Sequence, residues 1–450
     1  MKKILILLFF LSAVLSAQNI TIKVNGLKNR QASLYFWGLE KTNFIISITS
    51  DNNGLFKIPG KNLHNGFYRL VLNNNIWLNF INDGQGIKIE TDKNNLFKNL
   101  LVIKSDANRS YYKFLHLTSA YKKAQKKLQE AAQKHHRKDK DLEHIKKEFT
   151  DVYNNYWAYV NKFSKSDDES LISRYIRSAH EPKIKPGMDI QAERKYLKTH
   201  FWDNVDFSNA TLLHSDLFVN KTIEYLNLFS NNRLKKDLLE KEYQKAVDVI
   251  LNKAKVNQRI YKQMTEYLIK GFKKLDFGNV IDYIVDNFVI ADDLCLDSQT
   301  DNFIQMRINQ SKIFRKNVKV PDIKLTDLNG KTVELYNVAA DKVLILFYSS
   351  HCPHCREFLP KLLKLYSGKT FEKFEVYGIS LDTDFSKWQS YVKNNHYNWI
   401  NVSDLKGWKS KVSYDFYIYA TPTMFLVDKN FMIIDKPKNL DDLKSDLLKN

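Results

Sequence analysis

Two cysteines three residues apart, Cys352 and Cys355, are the residues of this chain best suited to chemistry. They stand in Leu346-Phe347-Tyr348-Ser349-Ser350-His351-Cys352-Pro353-His354-Cys355, where a fully apolar run gives way to a helical pattern. Cys352 therefore falls at the start of a helix and Cys355 one turn in, about 5–6 Å away, a separation that suits a disulfide. The unsatisfied N–H groups and positive partial charge of a helix start favour thiolate over thiol. The outer sulfur, Cys352, is the predicted nucleophile, and Cys355 the thiol that resolves a mixed disulfide. The intervening Pro353-His354, with His351 just before, is predicted to lower the pKa of Cys352 further. Two plainer readings stand beside this one. The pair could be a structural disulfide, or His351, Cys352, His354 and Cys355 could hold a metal ion. Adjacent helical residues do not converge on one ion, so no metal and no cofactor is expected.

The chain has only three cysteines, and two of them form this pair. An oxidising compartment favours disulfide frameworks, so such sparing use points to catalytic rather than structural thiols. The third, Cys295, follows Asp292-Asp293-Leu294 and is expected to be a buried hydrophobe.

Three regions must position the pair. Residues 18–105 hold short β-branched and aromatic runs at Ile20–Val24, Ala32–Trp37, Phe44–Thr49, Leu55–Ile58, Tyr68–Leu72, Ile76–Asn82 and Ile87–Thr91. Turn clusters such as Asp51-Asn52-Asn53-Gly54 separate them, which predicts a small antiparallel sandwich or barrel. Residues 106–315 read as α-helical, with helices over Tyr112–Gln133, Leu142–Phe163, Gln191–His200, Lys221–Leu228, Leu234–Lys253, Gln258–Phe272 and Asn279–Phe288. His135, His136 and His144 lie on a solvated basic face, and His200, His214 and His396 serve local packing. Residues 316–450 predict an α/β unit. It begins with a hairpin around Asn329-Gly330, then strand Val343–Tyr348, strand Phe374–Ile379, helix Phe385–Asn394, strands Thr423–Val427 and Phe431–Ile434, and a closing helix at Leu440–Leu448. A fully apolar strand followed by a helix argues for a parallel sheet covered on both faces.

The N-terminus carries Met1-Lys2-Lys3, an apolar stretch from Ile4 to Leu15 and small residues at Ser16 and Ala17. Residues 1–17 thus have the parts of a secretory signal peptide, with an apolar stretch too short to span a bilayer. No cysteine at the cut offers a lipid acceptor, so the mature chain is expected to be exported, periplasmic and not membrane-spanning. The formal charge of +20 does not mark a nucleic-acid binder. Residues 316–450 carry 20 basic against 16 acidic residues, the remaining surplus is spread over Lys-rich helices, and no nucleic-acid motif concentrates it.

From about Val320 to Asn450 the sequence resembles the TlpA/ResA-like branch of exported thioredoxins. The residues that carry the likeness are Pro321–Leu335, similar to that branch's opening hairpin; Pro360, eight after Cys352, matching a proline within the active-site helix; and Tyr419-Ala420-Thr421-Pro422-Thr423, matching the cis-proline loop. The resemblance implies a thioredoxin fold in which Thr421 and Pro422 face the sulfurs and dock substrate backbone. Upstream, the β region resembles a domain that precedes such thioredoxins in Bacteroidetes. Phe201–Ser208 with Leu212-Leu213-His214 resembles the helical linker of the same architecture. Two departures matter. The buried Asp that thioredoxins place six residues before the first cysteine is here Leu346. The Glu that ResA-like proteins place six after it is Phe358, with Glu357 one position early and about 100° round the helix. The family implies a reductase of protein or small-thiol disulfides, fed by a membrane thiol donor. The Pro-His dipeptide points instead to an oxidase or isomerase, and the long N-terminal regions allow a partner-binding protein with no redox role. Reduction is the expectation carried forward.

Overall fold

In a computed structural model, the structure describes residues 19–448 except 40–42, 61, 74–75, 135–139, 167, 185–187, 297–301 and 369–373. The predicted leader (1–17) and His135 and His136 lie outside the described residues. The chain divides into two compact units, residues 1–270 and 271–450.

The first unit opens with eight strands: β1 (Asn19–Asn25), β2 (Gln31–Phe36), β3 (Asn43–Thr49), β4 (Leu55–Pro59), β5 (Gly66–Asn73), β6 (Ile76–Asn82), β7 (Ile87–Asp92) and β8 (Leu101–Lys104). They form two four-stranded sheets, ordered β4-β1-β7-β8 and β3-β2-β5-β6. Alternating residues of both sheets, among them Ile22, Leu34, Phe56, Leu70 and Phe80, share one buried core, as a sandwich requires. One pairing departs from the antiparallel expectation. β1 and β7 run parallel, which the long stretch of chain between them permits. Helices follow: α1 (Asp106–Lys134), α2 (Lys140–Ser164), α3 (Leu171–Ala179), α4 (Ile190–His200), α5 (Leu217–Asn227), α6 (Lys236–Ala254) and α7 (Gln258–Lys274). His214 stacks on Phe36 at 4.9 Å, and His200 pairs with Asp203 at 2.7 Å, so both are engaged locally.

The second unit contains α8 (Gly278–Ile284), which runs into a π-helical stretch (Val285–Ile290), and α9 (Asn302–Ile313). Cys295 lies between them and is exposed, contrary to expectation. The neighbouring Leu294 takes the buried place instead. Then come β9 (Lys324–Asp327), β10 (Thr332–Glu334), β11 (Lys342–Tyr348), α10 (Pro353–Ser367), β12 (Phe374–Ser380), α11 (Phe385–Asn394), β13 (Ile400–Ser403), α12 (Lys411–Asp415), β14 (Thr423–Asp428), β15 (Ile433–Asp435) and α13 (Leu440–Leu447).

Seven strands form one sheet in the order β10-β9-β13-β12-β11-β14-β15. It is mixed rather than parallel. β13, β12 and β11 run together, and β14 is antiparallel to β11. β11 is central, and its continuous apolar run has a physical reason, since both of its faces are covered. Val343, Ile345 and Phe347 face one buried cluster with Phe314, Tyr377, Phe416 and Phe425. Leu344, Leu346 and Tyr348 face another with Cys355, Leu359, Trp388 and Leu443. Among the described residues, no helix is long and apolar enough to cross a membrane.

Candidate active site

The candidate pair sits where β11 ends and α10 begins. Cys352 is the N-cap of α10, in extended conformation (φ −77°, ψ 120°), and Pro353 occupies the first turn, where a missing N–H leaves nothing unsatisfied. The Cys355 N–H donates to Cys352 Sγ at 3.4 Å, so the sulfur takes the place an oxygen usually fills at a helix cap. Cys352 is half-buried and Cys355 fully buried, and both are free thiols. Pro360 lies inside α10, where the sequence placed it.

Opposite the sulfurs, the Thr421-Pro422 peptide is cis. The Cys352 thiol donates to the Thr421 carbonyl at 3.2 Å, so the loop and the helix start meet at the outer sulfur. Burial alone would raise the Cys352 pKa. Hydrogen bonds from the Thr421 side chain, the Cys355 N–H and thiol, and the His354 N–H outweigh it and hold the thiol below its ordinary value. Cys355 is the opposite case. Burial, then its hydrogen bond to Cys352 and the charge there, push its thiol up to about 12.

The two histidines act differently from the expectation. His354 contributes to Cys352 through its main-chain N–H. His351 turns to Asp382 (Nδ1 to Oδ1, 3.3 Å) and to Ser350 Oγ at 2.8 Å. Its imidazole is therefore engaged with the loop beneath the sulfurs. Glu357 is exposed and pairs with Lys361 at 2.8 Å, so its displacement along the helix does remove it from Cys355.

Sequence reasoning missed Asp382. This buried carboxylate follows β12, beside the end of β11, and collects the active-site loop. It accepts from Ser349 Oγ (3.1 Å), Ser350 Oγ (2.9 Å), Ser350 N (3.1 Å) and Ser380 Oγ (2.7 Å). From the other side, Arg356 Nε donates to the Ser350 carbonyl at 2.7 Å. An acidic residue just past the end of a strand parallel to β11 was the available signal. Replacing Asp382 with alanine strands these donors and is expected to destabilise the unit by about 2–4 kcal/mol. A fall in urea midpoint together with slower exchange is the expected result. An unchanged midpoint would show that the loop does not depend on this carboxylate.

A mixed sheet with a dithiol at a strand-to-helix junction, facing a cis-proline loop, defines a thioredoxin-like domain. Residues 317–436 match the AhpC/TSA family, and this part of the chain is a thioredoxin-like domain similar to thiol–disulfide oxidoreductases. Residues 165–273 match a domain of unknown function, DUF5106. Thiol-disulfide oxidoreductase ResA of Bacillus cereus is 26% identical over 118 residues, covering 26% of this chain. The match spans 66% of that relative's own length. Among solved structures, the thioredoxin domain of a thiol-disulfide oxidoreductase from Bacteroides vulgatus is 29% identical, with 29% of this chain and 94% of that chain covered and a TM-score of 0.28. A thioredoxin-like protein from Bacteroides caccae covers 60% of this chain and 97% of its own, at 18% identity and a TM-score of 0.39.

Proposed function

We propose that this protein is an exported, periplasmic thiol–disulfide oxidoreductase that reduces disulfides of proteins or small thiols through Cys352 and Cys355. The observation that carries the reading is the contrast between the two sulfurs. One is half-exposed, caps a helix and is held below its ordinary pKa; the other is buried and raised to about 12. The Cys352 thiolate attacks a substrate disulfide, forming a mixed disulfide and releasing one substrate thiol. Cys355 then loses its proton and attacks Cys352 Sγ, which leaves an internal disulfide and frees the second substrate thiol. The substrate gains two electrons and two protons, and the dithiol loses them. Thr421 and Pro422 offer the backbone edge on which substrate docks, with Pro353 and the main-chain N–H of His354 tuning the outer thiol and His351 bracing the active-site loop through Asp382. A dithiol donor at the membrane restores the reduced state. The reaction needs no cofactor or metal, and no nucleic acid takes part. Removal of residues 1–17 on export leaves a β module (18–105), a helical module (106–315) and the redox module (316–450).

One observation favours the opposite direction. A lowered Cys352 pKa stabilises the reduced pair, which makes a stronger oxidant. Equilibration with glutathione separates the two. A potential near thioredoxin's, about −270 mV, is the expected result, and one near about −120 mV would make the protein an oxidase or isomerase. A pair that never exchanges would make it a partner-binding protein.

A further inference from the structure

The segment leading into Thr421-Pro422 is held from outside the sheet by α8 and α9. Gln310 Nε2 on α9 donates to the carbonyls of both Phe416 and Tyr417 at 3.1 Å. Just past α9, Phe314 stacks on Phe416 at 4.9 Å. Tyr417 has φ 49°, a left-handed conformation that bulky residues seldom adopt unless their surroundings impose it. Tyr419 is held most firmly. Its hydroxyl donates to Asp282 Oδ1 on α8 at 3.0 Å, and the buried Arg307 of α9 pairs with the same oxygen. Arg307 also donates to the Gly278 carbonyl at 3.0 Å, and its guanidinium lies over the rings of Tyr419 (4.4 Å) and Phe303 (4.6 Å), which meet edge to face. Only Ala420 separates Tyr419 from Thr421, whose carbonyl accepts from the Cys352 thiol.

We propose that the Arg307–Asp282–Tyr419 cluster is a positioning device that fixes Thr421 against the Cys352 sulfur, so that the reactivity of the pair is set from α8 and α9. The proposal rests on the reading of Cys352 as nucleophile. It accounts for a buried arginine paired with a partly buried aspartate at this place. A pure packing role is filled as well by apolar groups, whereas a planar guanidinium lying over two rings, with Nη1 shared between the Asp282 carboxylate and the Gly278 carbonyl, fixes orientation as well as distance. Other charges face the cluster. Lys438 Nζ lies 4.0 Å from Asp282 and 3.9 Å from Asp286, and Lys436 is close enough to both acids to feel their charge. Burial holds the Tyr419 hydroxyl well above its ordinary pKa, so it remains a donor throughout the working range.

Tyr419→Phe is the gentlest probe, because it deletes one hydroxyl and leaves the ring and the ion pairs of Asp282 in place. The experiment measures the pH profile of iodoacetamide alkylation of the reduced full chain, in a Cys295→Ser background that removes the exposed third thiol. Glutathione equilibrium and urea unfolding are measured alongside. Loosening Thr421 weakens the hydrogen bond its side chain gives the Cys352 thiolate, which is expected to raise the Cys352 midpoint by up to about one pH unit. The glutathione equilibrium should move toward the protein disulfide by up to about tenfold. Arg307→Lys, which keeps the charge without the planar guanidinium, should shift both in the same direction. If Tyr419→Phe and Arg307→Lys lower the urea midpoint while both redox readouts overlay the wild type, the cluster is only structural and the proposal falls. A wild type that neither exchanges nor shows a lowered midpoint overturns the reading of the pair itself, a different result from silent variants in an active protein.

Discussion

Cys352→Ser is expected to reduce disulfide exchange by at least about a thousandfold, the scale on which removal of a covalent nucleophile is felt. A hydroxyl at the cap is not ionised at neutral pH, and the buried Cys355 has no route to substrate. The wild-type pH dependence follows from the direction of the shift. Because the Cys352 thiol lies below its ordinary value, its thiolate fraction persists to more acid pH than that of an unperturbed cysteine. Exchange and alkylation should therefore hold up below that ordinary value and decline only as the pH falls through the lowered midpoint. Stopped-flow alkylation with Cys295→Ser in the background checks both points. A serine variant that still exchanges would end the account, whatever the fold.

Cys355→Ser is expected to trap rather than to silence. Attack by Cys352 still occurs, but the mixed disulfide then waits for an external thiol instead of a neighbour held one turn away. Intramolecular attack carries effective molarities of about 10^5 M or more, so resolution should slow by at least about a thousandfold. In the free dithiol, Cys355 is raised first by burial and then by its hydrogen bond and charge interaction with Cys352. Both of the latter disappear once Cys352 is bonded to substrate. Cys355 therefore becomes easier to deprotonate at the step that needs it. Non-reducing gels should show a covalent adduct with Cys355→Ser and none with the double serine variant. A Cys355→Ser protein that turns over at the wild-type rate would show that Cys355 is not the resolving thiol.

How far these residues could be read from sequence depends on whether their signal was local. The CxxC, Pro360 and the Thr421-Pro422 loop are short motifs, and β11 declared itself because both of its faces are covered. Leu346 and Glu357 were legible as departures, and Glu357 is indeed turned to Lys361 and solvent. Asp382 was legible only indirectly, as an acidic residue just past a strand that runs parallel to β11. It reaches the active-site loop only because β11 and β12 pair in parallel, bringing Ser380 beside Tyr348. β13 was missed because Asn401, mid-strand, interrupts an apolar pattern; it is buried by hydrogen bonds to Tyr348 and to the Tyr397 and Trp399 carbonyls. α9 was missed for a related reason. Two of its buried residues, Arg307 and Gln310, are polar, so the apolar periodicity that marks a helix was absent. Cys295 was misplaced by composition alone, since a lone cysteine carries no positional information.

The unequal depth of the two sulfurs governs what a peroxide can do to this protein. An oxidant small enough to arrive from solvent meets Cys352 first and converts it to a sulfenic acid. Cys355, shut inside the core, is spared that encounter but stands one turn away, ready to condense with the oxidised neighbour and expel water. Damage that would climb to irreversible sulfinic or sulfonic acids on a solitary thiol is diverted into the same internal bond that forms during turnover, from which any dithiol donor can recover the protein.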